Sequence, residues 1–201
     1  PWHVEFNGGA SPILETPAGD LIKESGIVMM FAHESSSEGA DLVPKDPLAA
    51  AQMRVKQDDF NKLLSNLFPI FGSRGLKDEA IDNFAEKSLA GMEKLCEDAK
   101  GGWLSQADTP SFLDVHCAPF FEMLALWENS AMHNVFERLD LNNKAPNMMA
   151  YVKRFWAQPD VRPYRMTKTI SDRHWERTRG WPEGEKCQLC IEICVGGFDD
   201  E

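Results

Sequence analysis

No run of apolar residues in this 201-residue chain approaches the roughly 20 that a membrane-crossing helix needs, so no transmembrane helix is expected. Positive charge is the scarce sign. Lys and Arg number 21 against 32 Asp and Glu, a formal net charge of −11, and no basic stripe offsets the acids. Phosphate backbones would be repelled, which removes nucleic acid as a default partner. Cysteine is also sparse: Cys96, Cys117, Cys187, Cys190 and Cys194 are an odd five, too few for a secreted disulfide framework. A reducing compartment, cytoplasm or organelle interior, is the expectation. No charged segment followed by an apolar one opens the chain, and it begins at Pro1 rather than Met, so a removed or missing start is expected. Internal repeats, a glycine-rich phosphate loop and a Ser/His/Asp order are all absent.

What is present suffices for a sizeable core: 43% of residues are hydrophobic and 26% charged, as in an ordinary globular protein of one or two domains. Near the start, Pro1 to Phe6 lead to Asn7-Gly8-Gly9-Ala10, which reads as a flexible approach to the first strand. Ser11-Pro12-Ile13-Leu14-Glu15 and Leu21-Ile22-Lys23 then flank a Thr-Pro-Ala-Gly-Asp cluster, the pattern of a tight β-hairpin. The second strand runs into a helix at Glu24-Ser25. Ser25 is expected to cap it, and the free N–H groups behind it form a natural anion site. Glu24 beside it can accept from an ammonium, so the pair suits a zwitterionic amino-acid end; a plain helix start is the alternative. Ile27, Val28, Met30 and Phe31 are expected to pack this helix on the sheet. Pro44 and Pro47 bracket the link to a second unit.

From Pro47 onward the chain reads as almost wholly helical. Phe60, Leu63, Leu64, Leu67 and Phe68 form one buried stripe, interrupted by Pro69, Gly72 and Gly75. Ile81, Phe84, Ala85, Ser88, Leu89, Met92, Leu95 and Cys96 form a second, closed by Lys100-Gly101-Gly102. Ser111-x-x-Asp114 is a capping box, and the helix it opens, Phe112 to Trp127, is apolar nearly all round and should be the central buried one. Another helix is expected from Glu128 to Leu141, and a further one from Pro146. Short connections predict an antiparallel bundle.

Candidate chemistry outside the hairpin is thin. Cys96 and Cys117 fall on core stripes and read as inert thiols, His116 as a satisfied core histidine, and capping accounts for Asp114, so Asp114 and Glu122 are not a catalytic pair. Cys187, Cys190 and Cys194 share one face if helical. In a loop, Cys187 and Cys190 suit zinc or a disulfide, but zinc wants four ligands and His174 is the one plausible fourth. Apolar packing of these thiols against a neighbour ranks first, and no metal is expected. Arg173, His174, Trp175, Arg177, Arg179 and Trp181 make a basic aromatic patch before an acidic end.

A strand opened by proline, a hairpin, a Glu-Ser step, a short helix and an acidic linker ending in Pro44-Lys45-Asp46-Pro47 together resemble the second half of the glutathione-binding domain of glutathione transferases. The likeness is to omega-like or related cysteine-type members, and it runs to about Arg165, with the capping box matched by type and place. The resemblance implies an α+β fold: a partial thioredoxin-like unit over 1–43, an all-helical unit over 46–166, and an extra tail over 167–201. It implies that Ser11 and Pro12 meet the cysteinyl part of glutathione and that Glu24 and Ser25 hold its γ-glutamyl end. Two strands and one helix leave an unpaired edge, so either a further strand, helix and strand carrying the nucleophile precede Pro1, or another chain covers the edge. The implied function is a glutathione-dependent transferase or thiol reductase. The alternative is a non-catalytic structural subunit, assembled as a homodimer or larger complex through the N-terminal edge and the tail.

Overall fold

The computed structural model describes residues 2–8, 12–37, 41–159 and 161–164. Ser11, His174, the basic aromatic patch and Cys187, Cys190 and Cys194 lie outside them. The described residues open with a short helix, α1 (Trp2–Asn7). Strands β1 (Ile13–Glu15) and β2 (Leu21–Lys23) pair antiparallel, Ile13 with Lys23, Leu14 with Ile22, Glu15 with Leu21. Pro17 sets the turn between them. Thr16 Oγ1 and its carbonyl accept from the N–H groups of Asp20 and Gly19 at 3.1 and 2.9 Å, and Gly19 takes φ +89°, where glycine has no steric cost. Lys23 stands over the Phe6 ring, 5.5 Å from its centre, tying α1 to the hairpin.

Helix α2 (Ser25–Ser35) comes directly after, with two departures from expectation. Glu24, not Ser25, occupies the cap position, and its side chain makes no capping bond; Ser25 is the first helical residue. Ile27 is 58% exposed, and no residue of α2 is fully buried, although Met29 and Met30 lean on the core of the helical unit.

Asp46 caps α3 (Pro47–Leu64), its carboxylate accepting from Ala49 N at 2.8 Å, with Pro47 at the first position, where a missing N–H costs nothing. A 3₁₀ turn at Ser65–Leu67 then rotates the chain into α4 (Phe68–Gly72). That rotation turns Phe68 outward, 57% exposed, whereas Phe60, Leu64 and Leu67 are buried as their spacing predicts. The second stripe is one continuous rod: α5 (Asp78–Phe84), a π-helical turn at Ala85–Leu89, and α6 (Ala90–Asp98). Ser88, fully buried in the wide turn, donates to Leu63 O at 2.8 Å and accepts from Asn66 Nδ2 at 3.0 Å, so its hydroxyl is satisfied. At Gly91 a Cβ would stand 2.8 Å from Leu63, so glycine lets α6 approach α3.

Helix α7 (Phe112–Leu126) runs through the centre, packed between α3 and α10 (Pro146–Phe155), which in turn lies on α6. Phe60, Phe121 and Tyr151, one from each of α3, α7 and α10, meet edge to face at 5.4 and 5.8 Å, the arrangement ring quadrupoles favour. The expected helix over 128–141 is broken. Trp127–Asn129 is a 3₁₀ turn, and Ser130 is extended, its hydroxyl accepting from Met132 N at 3.1 Å. Then come α8 (His133–Leu139) and α9 (Leu141–Lys144), separated by Asp140 at φ +53°. Helix α10 has no capping side chain of its own; Glu93 on α6 serves, accepting from Asn147 N and Met148 N at 3.0 and 2.9 Å. A final 3₁₀ turn spans Arg162–Tyr164. No helix among the described residues is long and apolar enough to cross a membrane.

Candidate functional site

The hairpin-to-helix junction is assembled by register. The last ladder pair is Ile13 with Lys23, so Pro12 and Glu24 are the next residues out along the two chains. Pro12 has no N–H to give the ladder, and pairing stops there. Glu24 then adopts φ +72°, ψ 117°, a conformation that side-chain-bearing residues rarely hold. This turn swings the chain from strand to helix within one residue. The first helical bond is Val28 N to Glu24 O at 2.9 Å, which leaves the preceding N–H groups of α2 without intrahelical carbonyls. With no side chain capping it, the positive end of the helix dipole is open. Pro12, Glu24 and Ser25 are all exposed. The structure therefore brings Pro12 and Glu24-Ser25 to one end of the hairpin, with donors, a carboxylate and an extended strand end together.

The interior residues present different chemistry. Burial pushes the Cys96 thiol well above its ordinary range, with Glu93 next in effect, and Cys117 is raised by burial and then by the Asp114 charge. A thiol is a nucleophile only as thiolate, so neither is activated. His116, half-buried on α7, donates from Nε2 to Asn61 Oδ1 at 2.8 Å, and burial lowers its pKa. Glu122 is 3% exposed on the same helix. Among the described residues no group of three or more His, Cys, Asp or Glu is placed to hold a metal ion.

Asp114 does more than the capping box requires. Its Oδ2 accepts from Ser111 N and Ser111 Oγ at 2.8 and 2.7 Å; its Oδ1 accepts from Leu104 N and Tyr151 OH, both at 2.8 Å. Four bonds converge on one carboxylate of 0% exposure, joining the loop before α7, α7 itself and α10. Burial, then the Asp114 charge, holds the Tyr151 hydroxyl protonated far above its usual range. Capping is legible from the Ser-x-x-Asp spacing, but the partners 10 and 37 residues away are not. The strained backbone of Glu24 has no sequence signature at all.

No family model matches this sequence, and no curated protein matches it. Among solved structures, a trimeric glutathione transferase from Leishmania superposes with a TM-score of 0.71 at 16% identity, over 89% of this chain and 40% of that one. The chain thus spans about two fifths of that protein's length. The likeness shows the fold: a two-stranded, partial thioredoxin-like unit followed by an all-helical unit, as in glutathione transferases.

Proposed function

We propose that this is a glutathione-transferase-like protein whose hairpin-to-helix junction seats glutathione, for use in a glutathione-dependent transferase or thiol-reductase reaction. The observation that carries this reading is the strained Glu24 backbone at the uncapped start of α2, one residue beyond the last ladder pair, as Pro12 is on the other strand. Open N–H groups and the helix dipole suit the α-carboxylate of the γ-glutamyl end. The Glu24 carboxylate suits its ammonium, and Ser25 stands beside both. Pro12, at the strand end, and Ser11, the residue before it in sequence, would meet the cysteinyl portion. The omega-like, cysteine-type assignment and the division at 1–43, 46–166 and 167–201 belong to the same reading. So does a nucleophile carried elsewhere than on the described residues, since Cys96 and Cys117 are held as thiols.

Calorimetric titration with glutathione tests it. The expected result is binding by the full chain, weakened about tenfold in Glu24→Ala by loss of a charge-assisted bond, and weakened less in Ser25→Ala. No binding by the wild-type chain, or equal binding by Glu24→Ala, refutes it.

A second reading, a non-catalytic structural subunit of a larger assembly, is favoured by a different observation. Trp2, Val4 and Ile27, all in the hairpin unit, are 57%, 44% and 58% exposed, surface of the kind that a partner covers. The solved neighbour is itself a trimer. Failure to bind glutathione, together with a stoichiometric partner through native purification, selects this reading over the first.

A further inference from the structure

A groove of about 430 Å³ opens between the first half of α3 and the turn between α6 and α7, within the size range of small-molecule sites. It shares no residue with the glutathione junction. Ala49 and Val55 make its apolar part, with Met53, 1% exposed, beneath them; Gln52, Lys56, Ser105 and Gln106 make its polar part.

Three features of that polar part bear on what it could hold. Lys56 is half-buried, and its ammonium donates to Leu104 O at 2.9 Å, yet no described carboxylate lies within ion-pair distance, in a chain where acids outnumber bases 32 to 21. The Ser105 hydroxyl is shielded from solvent and has no hydrogen-bond partner among the described residues. Buried hydroxyls nearly always have one. Gln106 holds φ +63°, kept there by its N–H on Trp103 O at 2.8 Å and its side-chain amide on Asp98 O at 3.1 Å. Side-chain-bearing residues in that region are uncommon and concentrate where ligands are clamped. Beside Lys56 on α3, Val55 is 61% exposed.

We infer that this groove binds a small organic monoanion, a carboxylate with a short apolar body. Lys56 keeps its carbonyl bond and turns its remaining N–H donors to the carboxylate. Ser105 has no bond to break, so a rotation about χ1 lets its hydroxyl donate a further bond. The apolar body lies along Ala49 and Val55. One cation with no second basic residue on the wall suits a single negative charge, and the net charge of −11 disfavours a dianion such as phosphate.

Octanoate is the probe, with octanol as its uncharged counterpart, titrated into the full chain and followed by backbone-amide NMR shifts of residues 104–106 and by calorimetry. Octanoate is expected to bind more tightly than octanol. Lys56→Gln keeps a donor for Leu104 O without the charge, so octanoate should weaken about tenfold while octanol is unchanged. Ser105→Ala should weaken octanoate about threefold, and Glu24→Ala should leave it unaffected. The inference is overturned if octanoate moves none of these amides at about 10 mM, the weak end of specific binding, or if octanol binds as well. Undiminished octanoate binding by Lys56→Gln, or by Ser105→Ala should Lys56→Gln not fold, overturns it equally.

Discussion

Helix α7 buries eight of its fifteen residues, two of them acids, while α2, three turns long and similarly apolar in sequence, buries none of its eleven. Both helices open with a residue in a cap position and an acid at hand, and the likeness ends there. At α7 the acid is enclosed and answers four donors from three places in the chain. At α2 the acid is Glu24 itself, exposed, uncommitted to any capping bond, and twisted to φ +72°. One helix start is given over to holding the fold; the other is left strained and open. Strain persists only where the surroundings enforce it, and open donors persist only where water or a ligand answers them. The helical unit meets its buried bonding needs internally, and the junction keeps backbone donors that no side chain caps.

Asp114→Ala is the strongest way to break this contrast. It strands Leu104 N, Ser111 N and the Tyr151 hydroxyl in the interior, and a loss of about 3–5 kcal/mol is expected, read as a lower urea midpoint with unchanged slope. A loss below that of an ordinary cap would show that the carboxylate is not the hub its geometry makes it. Glu93→Ala comes next. Removing the cap that α6 lends to α10 should cost about 1–2 kcal/mol, again by urea unfolding, and it acts on the helical unit alone.

What the sequence discloses depends on the range of each interaction. The hairpin is legible from Pro17 and Gly19, the capping box from a three-residue spacing, and the core stripes of α3 and of the α5–α6 rod from helical period. Phe68 departs from its stripe because the 3₁₀ turn at Ser65–Leu67 shifts the phase by a fraction of a turn that periodicity does not register. Ile27 departs from the expected packing: it is 58% exposed, on a helix that buries none of its residues. The partners of Asp114, the cap lent by Glu93, and the Lys56 bond to Leu104 O all join residues from 10 to 55 positions apart. Of the hairpin-to-helix junction, the residue types are readable and the backbone angle of Glu24 is not.

Glu24→Gly sharpens the comparison from the other side. Glycine accepts φ +72° without steric cost, so relief of about 1 kcal/mol is expected. It should appear locally, as roughly fivefold slower hydrogen exchange across α2, with the urea midpoint of the helical unit unmoved. If the whole molecule gained stability together, the two regions would be one cooperative unit and the contrast between them would fail.

The smallest effect lies at His116, on the buried helix but half open to solvent. The rings of Phe60 and Phe120 stand 5.8 and 6.3 Å from it, and Asn61 Oδ1 accepts its Nε2 proton. Burial lowers its folded-state pKa from the ordinary 6.5. The unfolded chain therefore takes up a proton first as pH falls, so this contribution is complete above about pH 6.5 and is lost progressively below it. His116→Gln retains an amide donor for Asn61 but does not titrate. Urea midpoints measured from pH 7 to pH 5 should fall more steeply in the wild-type chain than in the variant. Parallel lines would mean that water reaches the imidazole well enough to cancel the penalty of its surrounding rings, making this part of the central helix less enclosed than its neighbours Cys117 and Phe121.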